Sequence, residues 1–270
     1  KRSYNFIPER FTTSLFSIFY LYKIFKILKA RNSVVFSFQS HIIPIIICRI
    51  FRRKIIIRNS EDAIEATKYA DKKISAYLIL LLKLCFYNLC NGIITNSNKS
   101  KKSLKNITFN KKKIRLIYNP CLKKILKKEK KLRGNFILCV GRLCKQKNQE
   151  ILIKAFPYFL KKFPKYKLIL IGHGYDEERL KKLCSYNNIA DKVFFHGKIY
   201  KPERYYKTSK LLVLPSLYEG LPNALIDSLN YNLPAISTRC SGAKDILGNN
   251  YKDFILSYLN SLLGRANQFI

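Results

Sequence analysis

Two carboxylates and two cations are the groups in this chain whose surroundings best suit chemistry. Glu219 stands in Ser216-Leu217-Tyr218-Glu219-Gly220-Leu221-Pro222-Asn223, just after the apolar run at residues 211–214, and Asp227 follows. Gly220 lets the backbone turn sharply or approach a ligand, and Pro222 suits the first position of a helix. Asn223 and Asp227 are four apart, so they share a face near the start of that helix. Free amides at a helix start can hold an anionic group, while the carboxylates can take the hydroxyls of a sugar or ribose. The plainer alternative is an ordinary strand-to-helix turn with a solvated glutamate. Arg142 and Lys147 follow a second apolar run, residues 136–140, on a turn opened by Gly141. Arg offers phosphate oxygens a planar fork and Lys a point charge. In a chain this basic any loop holds an Arg and a Lys, so their place after a buried strand is what singles them out. His41 lies just past an expected strand at residues 34–36, where parallel sheets place ligands. It reads either as a ligand-facing group or as a hydrogen-bonded structural histidine.

The elements that must position these groups alternate regularly from Asn135 onward. Strands are expected at 136–140, 167–171, 193–195, 211–214 and 234–237, with helices at 149–163, 176–186 (capped by Asp176), 202–208 and 222–230, and a helix start at 242–247. That order implies a parallel sheet with right-handed crossovers, helices on both faces and ligands past the carboxyl ends of the strands. Upstream, a helix is expected over 13–30 and strands at 34–36, 55–57, 93–94 and 114–118. Residues 74–90 form one apolar run, shorter than the roughly 20 residues a membrane span needs. The run reads as a core helix packed on the sheet, with an in-plane membrane contact as the alternative. Residues 123–133 are heavily basic, either the connection between domains or a solvated Lys-rich helix. The domains are therefore 1–122, a connection at 123–133, and 134–270.

These residues also resemble a known family. Ser216, Glu219-Gly220-Leu221-Pro222-Asn223 and the acid at 227 are similar to the nucleotide-binding signature of retaining glycosyltransferases of family 4, with the GT-B fold. Gly141-Arg142 with Lys147-Asn148, Gly172-His173-Gly174, Phe195-His196-Gly197, and Ile236-Ser237-Thr238 with Gly242 follow in the family's order, from about 136 to 247. The resemblance implies an α/β chain of two Rossmann-like domains of GT-B type with parallel sheets, the first incomplete. It implies that Arg142 and Lys147 hold the donor's diphosphate, that Glu219 contacts the transferred sugar, and that His41 faces the cleft. Gly172 and Gly174 would make a tight turn near nucleotide or sugar, and lacking a third glycine they fail as a dinucleotide fingerprint. Gly197, Lys198 and Ile199 would line the base pocket. Asp227 stands where the family carries Glu, one methylene and roughly 1.5 Å longer, so its ribose contact is expected to be weaker, water-bridged or absent. The implied reaction moves a sugar from a nucleotide-sugar, a UDP-sugar, to a glycan or lipid-linked acceptor in envelope or surface-polysaccharide assembly. No Asp-x-Asp occurs, so no metal and no other cofactor is expected.

Composition leaves rivals open. At 48% hydrophobic and 25% charged residues the chain is globular. Its net charge of +36 invites an anionic partner, a membrane surface included, or reflects a diffuse lysine bias with no specific nucleic-acid partner. The rival functions are a degenerate nucleotide-sugar binder without turnover and a non-enzymatic polyanion binder. Eight cysteines include no C-x-x-C, and three histidines give no zinc-ligand spacing. A reducing cytoplasm is expected, with peripheral contact at the inner face of a membrane. Beginning at Lys1 and holding no Met, the chain reads as a fragment lacking segments at both ends.

Overall fold

Short runs of apolar residues become strands here because only a sheet covered on both faces can bury every side chain in them. The structure, a computed structural model, describes residues 19, 22–23, 34–38, 41–119, 133–240, 242–248 and 255–256. The chain divides into two compact units, Lys1–Tyr118 and Asn119–Ile270. Both sheets are parallel throughout the described strands, which gives the α/β architecture that the alternation implied and that the resemblance to GT-B proteins also implied.

In the first unit β1 (Val34–Ser37), β2 (Lys54–Asn59), β3 (Gly92–Thr95) and β4 (Ile114–Leu116) pair in that order. Helices α1 (Ile42–Ile50), α2 (Ala63–Lys68), α3 (Lys73–Phe86) and α4 (Asn98–Ile107) connect them. Ile45, Cys48, Ile55, Ile57, Ile93 and Leu104 form the centre of its core. The sequence reading missed α1, whose apolar run holds Pro44 in the first helical turn, where a missing N–H costs nothing. It also missed α2, which Asp62 caps by accepting from the amides of Ile64 and Glu65, both at 3.1 Å.

One expectation is corrected outright. The run at 74–90 is helical as far as Phe86, but α3 is not a core helix: none of its residues is buried, and Ile74 is 88% exposed. Only Leu80 and Phe86 pack against the core. Among the described residues no helix is long and apolar enough to cross a membrane. The helix expected over 13–30 lies outside the described residues apart from Phe19, Tyr22 and Lys23, and the basic connection does too apart from Arg133.

The second unit contains β5 (Phe136–Val140), α5 (Gln149–Lys162), β6 (Lys167–Ile171), α6 (Glu177–Tyr186), β7 (Val193–Phe195), α7 (Glu203–Thr208), β8 (Leu211–Leu214), α8 (Asn223–Asn230), β9 (Ala235–Thr238), α9 (Ala243–Leu247) and β10 (Ile255–Leu256). The strand order is β10-β9-β8-β5-β6-β7. The period-two alternation of strands splits the core. Ile137, Cys139, Leu168 and Leu170 pack one face against Leu152, Phe156 and Leu180 of α5 and α6. Leu138, Ile169 and Leu212 pack the other against Tyr206 and Leu225 of α7 and α8. Two local details differ from expectation. Asp176 precedes α6 without capping it, because its carboxylate is taken by Arg179, at 2.6 and 2.8 Å. β10, beyond the point where the sequence pattern fades, adds a strand beside β9.

Arg133 fastens the start of this unit. Its guanidinium donates to the carbonyls of Tyr206 (3.4 Å), Ser209 (2.7 Å), Tyr231 (3.1 Å) and Asn232 (2.9 Å), at the carboxyl ends of α7 and α8. Those ends otherwise leave carbonyls unsatisfied, and a cation suits the negative end of the helix dipole.

Candidate functional site

The strand order places the site. From β5 the chain runs outward through β6 and β7, then returns to lay β8 on the opposite side of β5. Connections therefore leave the carboxyl ends of β5 and β8 in opposite directions and open a crevice there, the switch point at which such sheets bind ligands. A cavity of about 300 Å³ lies at this point, lined by Val140, Gly141 and Lys147 after β5, by Leu214, Glu219 and Leu221 after β8, by Pro222, Asn223, Ala224 and Asp227 of the α8 region, and by Pro202 and Tyr206 beside α7.

Glu219 is its most constrained charged group. The residue is only 7% exposed. Its Oε1 accepts from the Ser216 hydroxyl at 2.8 Å and forms an ion pair with Lys147 Nζ. A carboxylate so buried needs both partners to offset lost hydration. Ser216 is itself held, since the Thr238 hydroxyl donates to its carbonyl. Pro222 occupies the cap position and Asn223 opens the helix, one residue later than the sequence suggests. The Asn223 side chain accepts from Asn119 at 3.1 Å.

Arg142 stands beside the cavity on an exposed turn, and its guanidinium donates to Gln146 Oε1 at 3.3 Å. Gln146 is a residue the sequence reading missed. Its Nε2 donates to the Tyr218 carbonyl at 3.1 Å, and its own carbonyl accepts from the Leu217 amide at 2.9 Å. It thus joins the loop of Arg142 and Lys147 to the loop of Glu219. Nothing in its type gives that away, because its partners lie some seventy residues downstream.

The glycines serve the backbone first. Gly172 has φ +147, and a Cβ there would sit 1.9 Å from the Gly141 carbonyl oxygen; one on Gly174 would sit 2.0 Å from that of Leu143. The room they leave is filled by the turn after β5. Gly220 is buried and Gly197 has φ +62. Lys198 lies over the exposed ring of Tyr200 at 4.7 Å, and Ile199 packs against the core. The structure thus brings Gly141, Lys147, Glu219, Leu221, Pro222, Asn223 and Asp227 to one cavity, with Ser216 behind Glu219. Arg142, Gly172, Gly174, Gly197, Lys198, Ile199 and Gly220 are not among its lining residues.

His41 belongs to the first unit, immediately before α1. Its Nδ1 is 2.8 Å from the Ser37 hydroxyl, and burial, then the positive charge of Lys83, hold its pKa down at about 4. The imidazole is therefore neutral near pH 7. No group of three or more His, Cys, Asp or Glu side chains is placed to hold a metal among the described residues.

Fold and cavity together define a two-unit α/β protein of GT-B type with a crevice lined by Lys147, Glu219 and Asp227 at the switch point of its second sheet. Residues 123–258 match the family of glycosyl transferases group 1, and the chain belongs to that family. It is similar to an uncharacterized glycosyltransferase of Methanocaldococcus jannaschii, 33% identical over 251 residues, which covers 84% of this chain and 61% of that protein. It is also similar to the N-acetylgalactosamine-N,N'-diacetylbacillosaminyl-diphospho-undecaprenol 4-alpha-N-acetylgalactosaminyltransferase of Campylobacter jejuni, 28% identical over 211 residues, 76% of this chain and 57% of that one. The chain thus spans about three-fifths of the length of these relatives. Its fold matches that of Anabaena Alr3699/HepE, crystallised with UDP and glucose, with a TM-score of 0.75 at 15% identity over 94% of this chain and 71% of that one.

Proposed function

We propose that this chain carries the donor site of a retaining glycosyltransferase that moves a sugar from a UDP-sugar to a glycan or lipid-linked acceptor in surface-polysaccharide assembly. The observation that carries the reading is the meeting of Lys147, Ser216 and Glu219 at the switch point, with Asp227 on the same cavity. Arg142, Lys147 and the amides at the start of α8 neutralise the diphosphate as it leaves, a task that cations at fixed positions perform without reorganisation. Glu219, its carboxylate held in place, stabilises positive charge developing at the anomeric carbon. No metal or other cofactor enters this scheme. The UDP and glucose in the Anabaena structure and the lipid-diphosphate name of the Campylobacter relative support the donor and acceptor classes.

One feature favours a second reading. Asp227 has less reach than the glutamate of the family signature, which suits a protein that binds nucleotide-sugars without turning them over. Calorimetry with UDP, GDP, ADP and uridine at about 0.15 M salt tests the site, because binding by scattered lysines collapses with salt whereas a built site keeps its selectivity. One diphosphate is expected to bind saturably and uridine weakly; no saturable diphosphate binding overturns the proposal. Hydrolysis or transfer of the matching nucleotide-sugar then separates enzyme from binder.

A further inference from the structure

The short turn Lys145-Gln146-Lys147 follows β5, and the carboxamide of Gln146 meets two neighbours of opposite kind. Its Nε2 donates to the Tyr218 carbonyl at 3.1 Å, while its Oε1 accepts from the Arg142 guanidinium at 3.3 Å. A carbonyl can only accept and a guanidinium can only donate, so one orientation of the carboxamide satisfies both. The main-chain carbonyl of Gln146 adds a third tie, accepting from the Leu217 amide at 2.9 Å. The backbone of Arg142 is fixed as well. Gln149, only 1% exposed, donates its Nε2 to the Arg142 carbonyl at 2.9 Å. An arginine on an exposed turn is thereby held at both its backbone and its guanidinium.

We propose that Gln146 is a positioning residue for the diphosphate: its carboxamide oxygen orders the Arg142 guanidinium before a ligand arrives, and its other two contacts keep that cation's loop in register with the loop of Glu219. This rests on the cavity being the nucleotide site. A free arginine side chain loses rotamer freedom when it clasps an anion, and one already ordered loses less. The bond to Gln146 occupies one of five N–H donors, which leaves the others for phosphate oxygens. Glutamine suits the place better than its relatives. A glutamate would hold Arg142, but it would face the Tyr218 carbonyl with no proton to give and set a negative charge beside the diphosphate. A methionine of similar length would hold neither neighbour.

Isothermal calorimetry with UDP, GDP and ADP, each beside its nucleoside, measures the factor by which Arg142→Ala weakens the diphosphate. That factor is compared in three backgrounds: wild type, Gln146→Met and Gln146→Glu. In Gln146→Met it should shrink by about 3- to 10-fold, the scale of ordering one long side chain. In Gln146→Glu it should be at least as large as in wild type, because the acceptor for Arg142 is kept and the cation also offsets the new carboxylate. Comparison within each background separates this coupling from any direct effect of the Gln146 substitution on the ligand. Nucleoside affinity should stay within about twofold throughout. A factor unchanged in Gln146→Met, or reduced equally in Gln146→Glu, overturns the positioning role. So does equal weakening of nucleoside and diphosphate, or a Gln146→Met chain with no cooperative unfolding transition, since either makes Gln146 a structural tie alone. A wild type that binds diphosphates equally well without Arg142 overturns the role and leaves the cavity standing as the nucleotide site. A wild type that binds no nucleoside diphosphate overturns the donor-site reading itself.

Discussion

Cutting the Lys147–Glu219 pair from one side should harm the protein more than removing both charges. The side chains are 17% and 9% exposed, so the pair is nearer the buried limit than the surface one. Exposed pairs are worth about 0–1 kcal/mol, while removing one member of a buried pair costs about 3–5 kcal/mol because the other charge is stranded. Lys147→Met keeps most of the side-chain volume and leaves the Ser216 hydroxyl as the donor to the Glu219 carboxylate. Partial exposure brings the expected loss to about 2–4 kcal/mol. At about 2–4 °C per kcal/mol for a unit of this size, Tm should drop by roughly 5–15 °C. In Lys147→Met/Glu219→Gln no charge is stranded, and Ser216 can donate to the new amide oxygen. The double variant should therefore be more stable than Lys147→Met alone. Urea unfolding of the wild type, both single variants and the double variant gives the coupling directly. If Lys147→Met stays within about 0.5 kcal/mol of wild type, or the double variant is the least stable of the four, the pair is effectively solvated and Glu219 is not held as described.

Arg142→Ala should weaken nucleoside diphosphate binding by about 1.5–3 kcal/mol while leaving the nucleoside unaffected; calorimetry showing equal losses for both would mean the turn has been damaged. Asp227→Glu should tighten ribonucleotide binding, because a longer carboxylate reaches further toward the ribose hydroxyls; an unchanged or weaker affinity by calorimetry speaks against a ribose contact. His41 supplies a pH dependence. Its folded pKa of about 4 lies below the ordinary 6.5, so between those values the unfolded chain binds the proton more readily. Stability is full above pH 6.5 and falls as pH drops toward 4, by on the order of 3 kcal/mol at most. Urea midpoints between pH 4 and 7.5 should show a shallower slope for His41→Gln than for wild type, and identical slopes would place the titration elsewhere.

Most strands could be read from the sequence because a buried parallel strand needs nothing but a short apolar run between turn residues. The same simplicity misleads at α3. A run such as Tyr77-Leu78-Ile79-Leu80-Leu81-Leu82 has no polar face to say which side turns inward, and most of it turns outward. At α1, Pro44 and a run of isoleucines conceal a helix. Within the site, Glu219, Lys147 and Asp227 declare themselves by type and by their position after a strand. Gln146 and Tyr206 do not. A glutamine beside a lysine and a tyrosine beside a tyrosine acquire meaning only when the fold brings Tyr218 and Asp227 to them.

Arg133 makes two helix ends of the second unit into one fastened element. Its guanidinium grips the carboxyl ends of α7 and α8 at once. Those two short helices carry Tyr206 and Asp227, one on each. One side chain therefore ties together the two helices that border the cavity. The residue is the pin of a pair of tongs: one planar guanidinium fastens the ends of both helices to each other.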